Sequence, residues 1–131
     1  DYDVINHRGI DVGKEIRART GKRGVTVVID SVGSATWSQS LGALGRGGRL
    51  VTCGGTSGPM LETDVRKLFW NQWTLMGSTM GSDAEFSAIT AELIAGRLTA
   101  VVDSTFALED GRAALERLER GEQFGKVVVR V

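Results

Sequence analysis

Three stretches of this chain join glycine to small hydroxyl-bearing residues: DSVG at 30–33, CGGTSG at 53–58 and GSTMG at 77–81. Side chains this small leave backbone N–H and C=O groups open to close approach, which suits a flat or phosphorylated ligand such as a nucleotide. Glycine after a strand is also ordinary turn chemistry, and spacing alone leaves both readings standing. Cys53 is the only cysteine and His7 the only histidine, so the chain forms no internal disulfide and no complete four-ligand zinc site. With no base evident nearby, Cys53 reads as a packing residue rather than a nucleophile. His7, beside Arg8, reads as a surface residue without a role. Lys126 stands just before the last apolar run and reads, on its own, as a solvated charge at a strand end.

The elements that must carry these loops follow from periodicity. Val4 and Ile5 suggest a short strand, and Val12 and Ile16 share one helical face after Asp11, with Gly21 beyond the end. VTVVID at 25–30 is β-branched and nearly continuous in apolarity, as expected of a central strand covered on both faces. Ser34 is placed to cap a helix whose Trp37, Leu41 and Leu44 recur on one side, and Gly47 and Gly48 end it before a strand at 49–53. Asp64 precedes a short helix with Val65, Leu68 and Phe69, then comes a strand, WTLMGS. Ser82 and Glu85 have capping-box spacing, and Phe86, Ile89 and Leu93 line one face until Gly96. A strand near 101–106, a helix with Leu108, Leu115 and Leu118 ended by Gly121, and a final strand KVVVRV complete the chain. The alternation predicts an α/β open sheet of mostly parallel strands, in which ligands bind where the loops at the strands' carboxyl ends converge.

Composition narrows the classes. With 41% hydrophobic and 24% charged residues, the chain is neither disordered nor fibrous. Lysine plus arginine number 16, matched by 16 aspartates and glutamates, so no net field gathers nucleic acid or acidic lipid. Apolar runs fall far short of the roughly 20 residues that span a bilayer, and the opening DYDVINHRG has no secretory pattern. The expectation is a cytoplasmic protein that binds neither membrane nor nucleic acid.

The ordered string RGVTVVIDSVGSATWSQSLGALGRGGRLVTCGGTSG, followed by LMGSTMGSDAEF and FALEDGRAALERLERGEQFGKVVV, resembles the medium-chain dehydrogenase/reductase family over almost the whole chain. The specific signal is the combination of D-x-V-G after a strand, G-G-R-L-V entering a glycine loop, an M-G-S loop and a terminal G-K-V-V-V. The resemblance implies a Rossmann-like fold lacking its first βαβ unit. Residues 1–96 would be the later half of the dinucleotide-binding domain, and 97–131 the segment that returns to a catalytic domain. It implies NADP or NAD as cofactor, with Ser31, Val32 and Gly33 beside the adenosine half, mainly through backbone. Cys53, Gly54 and Gly55 would pass the nicotinamide ribose, Ser78, Thr79 and Met80 would hold the carboxamide, and Lys126 would approach the pyrophosphate. Trp73, Leu75 and Met76 correspond to an edge strand that relatives pair across a two-fold axis, which implies a homodimer, although core burial explains the same residues.

The dinucleotide fingerprint G-x-G-x-x-G is not found. By the resemblance it would lie upstream, along with the residues that choose NAD or NADP, any catalytic zinc and the proton relay. The expectation is therefore part of a longer NAD(P)-dependent oxidoreductase, moving hydride between the cofactor and an alcohol, aldehyde, ketone or quinone, with this part inactive alone. In the doubly wound order two strands are then missing between the first and second strands here, leaving a gap and, if the part folds alone, an exposed apolar edge at 25–30. Two other classes stand beside this one: a non-catalytic nucleotide-binding or structural module, and a methyltransferase-like α/β domain, which the MGSTM and FGKVVV segments do not support.

Overall fold

A computed structural model describes residues 3–131, which fall into two compact units, the first ending at Met80 and the second running from Gly81 to Val131. In the first unit, α1 (Val12–Arg19), β1 (Val25–Asp30), α2 (Trp37–Ala43), β2 (Leu44–Thr52), α3 (Val65–Trp70) and β3 (Thr74–Gly77) alternate along the chain. The strands form one sheet in the order β1-β2-β3, all parallel, with Val28 opposite Leu50 and Leu50 opposite Leu75. Helices as crossovers are what parallel neighbours require. The second unit holds α4 (Asp83–Ile94), β4 (Val102–Ala107), a 3-10 turn at Leu108–Asp110, α5 (Gly111–Arg120) and β5 (Lys126–Arg130). There β4 pairs with β5, again parallel. No described helix is long and apolar enough to cross a membrane.

The core of the first unit lies where α2 packs on β2. Trp37, Leu41, Leu44 and Leu50 are buried, with Val28, Leu61, Trp73 and Leu75 packed against them. Both large aromatic donors find acceptors, as buried indoles need to. Trp37 Nε1 donates to Thr63 Oγ1 at 3.0 Å and Trp73 Nε1 to the Gly45 carbonyl at 2.8 Å. Arg17 on α1 donates to the carbonyls of Gly42, Lys22 and Leu44. One guanidinium thus takes up carbonyls that the end of α2 leaves without intrahelical partners.

Local signals fix most boundaries. Asp11 and Asp64 accept from Lys14 and Arg66 N–H as N-caps. Ser82 and Glu85 close a full capping box, and Gly96 and Gly121 follow their helices at positive φ. Four expectations are corrected. Val4 and Ile5 form no strand, because no described strand pairs with them, and Val4 stands 85% exposed. Among the described residues, 25–30 form an edge strand rather than a central one, with Ile29 74% exposed, which is the exposed edge expected of this part by itself. Ser34 does not cap α2. Thr36 occupies that position without a side-chain cap bond, and the Ser34 hydroxyl is drawn to the Ser57 carbonyl at 2.7 Å. Leu44 opens β2 rather than closing α2, its backbone extended at φ −64°, ψ 132° where Arg17 takes its carbonyl.

Candidate functional site

The three strands of the first sheet end side by side, with Asp30 opposite Thr52 and Thr52 opposite Gly77. Two backbone bonds carry the ladder past the strand ends: Cys53 N–H to the Asp30 carbonyl at 3.0 Å and Ser78 N–H to the Thr52 carbonyl at 2.9 Å. The loops that follow therefore converge, and they enclose a cleft of about 490 Å³ whose wall includes Gly33, Cys53, Gly54, Gly55, Ser78 and Thr79.

The first two loops are stapled together. Ser57 donates to the Val32 carbonyl from both its N–H (2.8 Å) and its hydroxyl (2.7 Å), and that hydroxyl accepts from Ala35 N–H at 3.0 Å. Ser34 N–H donates to the Gly58 carbonyl at 3.2 Å. The approach is too close for side chains. A Cβ on Gly33, whose φ is +95°, would stand 2.7 Å from the Gly58 oxygen, and one on Gly54 would stand 2.5 Å from the Ser31 oxygen. Here glycine serves loop-on-loop contact, the turn-chemistry reading, and the cleft is formed by that contact.

Beneath the staple lies Asp30, only 4% exposed. Its Oδ1 accepts from Val32 N–H (2.8 Å) and Gly33 N–H (3.0 Å), and its Oδ2 from the hydroxyls of Thr36 (2.8 Å) and Ser40 (2.6 Å). Burial pushes its pKa up, but the bonds from Ser40, Gly33, Thr36 and Val32 together outweigh it, and the carboxyl sits below its ordinary value. Sequence reasoning placed Asp30 in a motif without giving it a role. The available signal was Thr36 and Ser40, one helical turn apart and downstream of an aspartate that ends a strand.

Gly33, Cys53, Gly54, Gly55, Ser78 and Thr79 are thus brought together, whereas Ser31, Val32 and Met80 are not part of the wall. The N–H groups of Val32 and Gly33 already serve Asp30, and the Val32 side chain faces a separate apolar groove with Val12, Ile16, Val28 and Ile29. Met80 is 95% exposed with a left-handed backbone, φ +47°. Lys126 opens β5 in the second unit, its N–H bonded to the Val101 carbonyl at 2.8 Å. Cys53 is exposed, which corrects its reading as a packed residue, and its Sγ lies 3.9 Å from the Asp30 carbonyl oxygen.

Among the described residues the N–H groups of Gly54, Gly55 and Thr79 carry no hydrogen bond, so the wall offers free donors. Gly77, also on the wall, has no atom within 4 Å of where a Cβ would stand, so the end of β3 is left bare. Free amide donors beside an unfilled strand end fit a flat, carboxamide-bearing ring. No described group of three or more His, Cys, Asp and Glu residues is arranged to hold a metal ion.

The chain is similar to known proteins over nearly its whole length. A family profile described as zinc-binding dehydrogenase matches residues 2–129. A quinone oxidoreductase of Salmonella typhimurium is 32% identical, the match covering 90% of this chain and 39% of that protein. The alcohol dehydrogenase of the archaeon Aeropyrum pernix superposes with a TM-score of 0.87 at 32% identity, over 98% of this chain and 36% of that one. A crotonyl-CoA carboxylase/reductase solved in complex with NADP superposes with a TM-score of 0.79 at 27% identity, over 91% of this chain and 30% of that one. The chain thus spans well under half the length of these relatives. Its α/β sheet of parallel strands is the Rossmann-like arrangement of the alcohol dehydrogenases, and the chain belongs to the zinc-binding dehydrogenase family, among the medium-chain dehydrogenases and reductases that its motifs resemble.

Proposed function

We propose that this chain is the later part of the cofactor domain of a longer, cytoplasmic NAD(P)-dependent oxidoreductase, and that the cleft between its glycine loops receives the nicotinamide end of the dinucleotide. The observation that carries the reading is the convergence of Cys53, Gly54, Gly55, Ser78 and Thr79 on one wall, where the N–H groups of Gly54, Gly55 and Thr79 have no hydrogen-bond partner among the described residues. The backbone at Ser78, Thr79 and Met80 would hold the carboxamide, and Gly54 and Gly55 would pass the adjoining ribose. Ser31, Val32 and Gly33 would flank the adenosine half, and Lys126 would supply a point charge to the pyrophosphate. When bound, the nicotinamide supplies or accepts the hydride exchanged with an alcohol, aldehyde, ketone or quinone. The chain's own part is orientation: backbone donors hold the ring in one pose at low entropic cost, so that one face meets the substrate.

Residues 97–131 would lead back to a catalytic domain, and any zinc would belong to upstream residues. The edge strand β3 would pair two copies through the segment containing Trp73, Leu75 and Met76. Met76 is 48% exposed on this edge, while Trp73 and Leu75 pack against the core.

The test is titration of the full-length protein with NADH and NADPH, following nicotinamide fluorescence, together with a Gly77→Val variant that fills the bare strand end. Tight binding of either nucleotide by the wild type, weakened about tenfold or more in the variant, is expected, equivalent to about 1.4 kcal/mol. A wild type that binds neither nucleotide refutes the oxidoreductase reading.

A further inference from the structure

We propose that Asp30 is the positioning residue of the cofactor cleft, a role that rests on the nicotinamide reading above for its consequence and on geometry for its mechanism. Asp30 reaches both loops with different atoms. Its carboxylate fixes the Val32 and Gly33 amides, and its carbonyl accepts the Cys53 N–H. A peptide plane is rigid, so fixing the Gly33 N–H also fixes the Val32 carbonyl. That carbonyl receives both donors of Ser57. Ser57 in turn sits in the tight turn closed by Gly58 N–H on the Gly55 carbonyl, 3.0 Å away. The path from Asp30 Oδ1 to Gly55 is therefore an unbroken series of short bonds.

The other carboxylate oxygen ties the same residue to α2 through Thr36 and Ser40. The helix, which carries buried Trp37 and Leu41, gives the carboxylate a fixed seat. Asp30 is not among the residues lining the cleft, so its influence on a bound cofactor passes through the loops. It also occupies both amides that the first loop would otherwise turn to an anion. That loop consequently has no free amide at Val32 or Gly33 to offer a ligand.

The experiment uses full-length protein carrying Asp30→Ala, Asp30→Asn or Ser57→Ala. Asparagine keeps an acceptor for both amides, and its NH2 group meets two hydroxyls that are able to accept. In Asp30→Ala the KM for the nicotinamide cofactor should rise about tenfold or more, while kcat at saturating cofactor stays within about twofold. Asp30→Asn should recover cofactor KM to within about threefold of wild type, and Ser57→Ala should raise it about threefold with Asp30 intact.

A purely structural aspartate would lower the folded fraction, and with it kcat, while leaving KM in place. An unchanged KM in folded Asp30→Ala, or a rise that asparagine does not rescue, overturns the proposal. If Asp30→Ala does not fold, an unchanged KM in Ser57→Ala overturns it alone, and a rise supports it. Amide exchange at Cys53, Ser57 and Gly58 needs no cofactor, and it should accelerate in Asp30→Ala but not in Asp30→Asn. This readout separates the two claims: a protein that binds no nicotinamide nucleotide but shows that exchange pattern loses the oxidoreductase reading and keeps the positioning network, and equal exchange in all variants sinks the network whatever the protein binds.

Discussion

Asp30 keeps its charge although it is almost sealed from water, because two amides and two hydroxyls replace the solvent it has lost. Its folded pKa lies below that of a free aspartate, about 3.9, so ionisation favours the folded state above that value, and the contribution disappears as pH falls through the folded pKa. Thermal melts of wild type and Asp30→Asn should therefore differ most near neutrality and converge in acid below about pH 4. A gap that widens on acidification would contradict this. Gly33→Ala, forced to φ +95° with its Cβ against the Gly58 oxygen, should lose about 1 to 3 kcal/mol of stability by urea titration. At this scale the sequence disclosed residue types and loop positions but not who bonds whom. DSVG marked a glycine turn at the end of a strand, yet it could not reveal that the Val32 and Gly33 amides were already taken by Asp30, since two of that carboxylate's donors come from the next helix.

Caps and periodicity were the most readable features among the elements. The Ser82 and Glu85 pair closes both ways, with Glu85 accepting from Ser82 N–H at 2.7 Å and Ser82 accepting from Glu85 N–H at 3.3 Å. Ser82→Ala should cost about 1 kcal/mol, visible as faster amide exchange in the first turn of α4. Leu50, with no exposed surface in the middle of β2, should cost about 2 to 5 kcal/mol when cut to alanine, measured by urea denaturation. The illegible features were those decided by partners distant in sequence. A run such as Val4 and Ile5 becomes a strand only when another strand offers a ladder, and the β-branched apolarity of β1 does not disclose that one of its flanks has no partner among the described residues. Ser34 had the right type for a cap, but Ser57, 23 residues on, holds its hydroxyl.

Across the whole molecule, each unit has its own polar anchor. In the second, Arg117 makes two bonds to Asp103, at 2.6 and 3.0 Å, and Phe124 N–H adds a third at 3.0 Å. The Arg117 guanidinium, first, and then the Phe124 amide hold the Asp103 carboxyl well below the usual carboxylate range. That contribution is present above the pKa of an unfolded aspartate and fades only on strong acidification. Asp103→Asn should accelerate amide exchange at β4 and β5, and unchanged protection would show that the pair does no stabilising. For the edge strand β3, solution mass at rising concentration should reveal a dimer of the full-length protein, which a persistent monomer would refute. The family was legible from the order of several weak motifs, none of which would have sufficed singly. In the first unit all the wall residues of the cleft fall between Gly33 and Thr79, and the three paired strands between Val25 and Gly77. Wall and these three strands are consequently one uninterrupted stretch of polypeptide, so recombination between homologous genes with crossovers outside it would transplant the wall as a cassette together with the three strands that carry it.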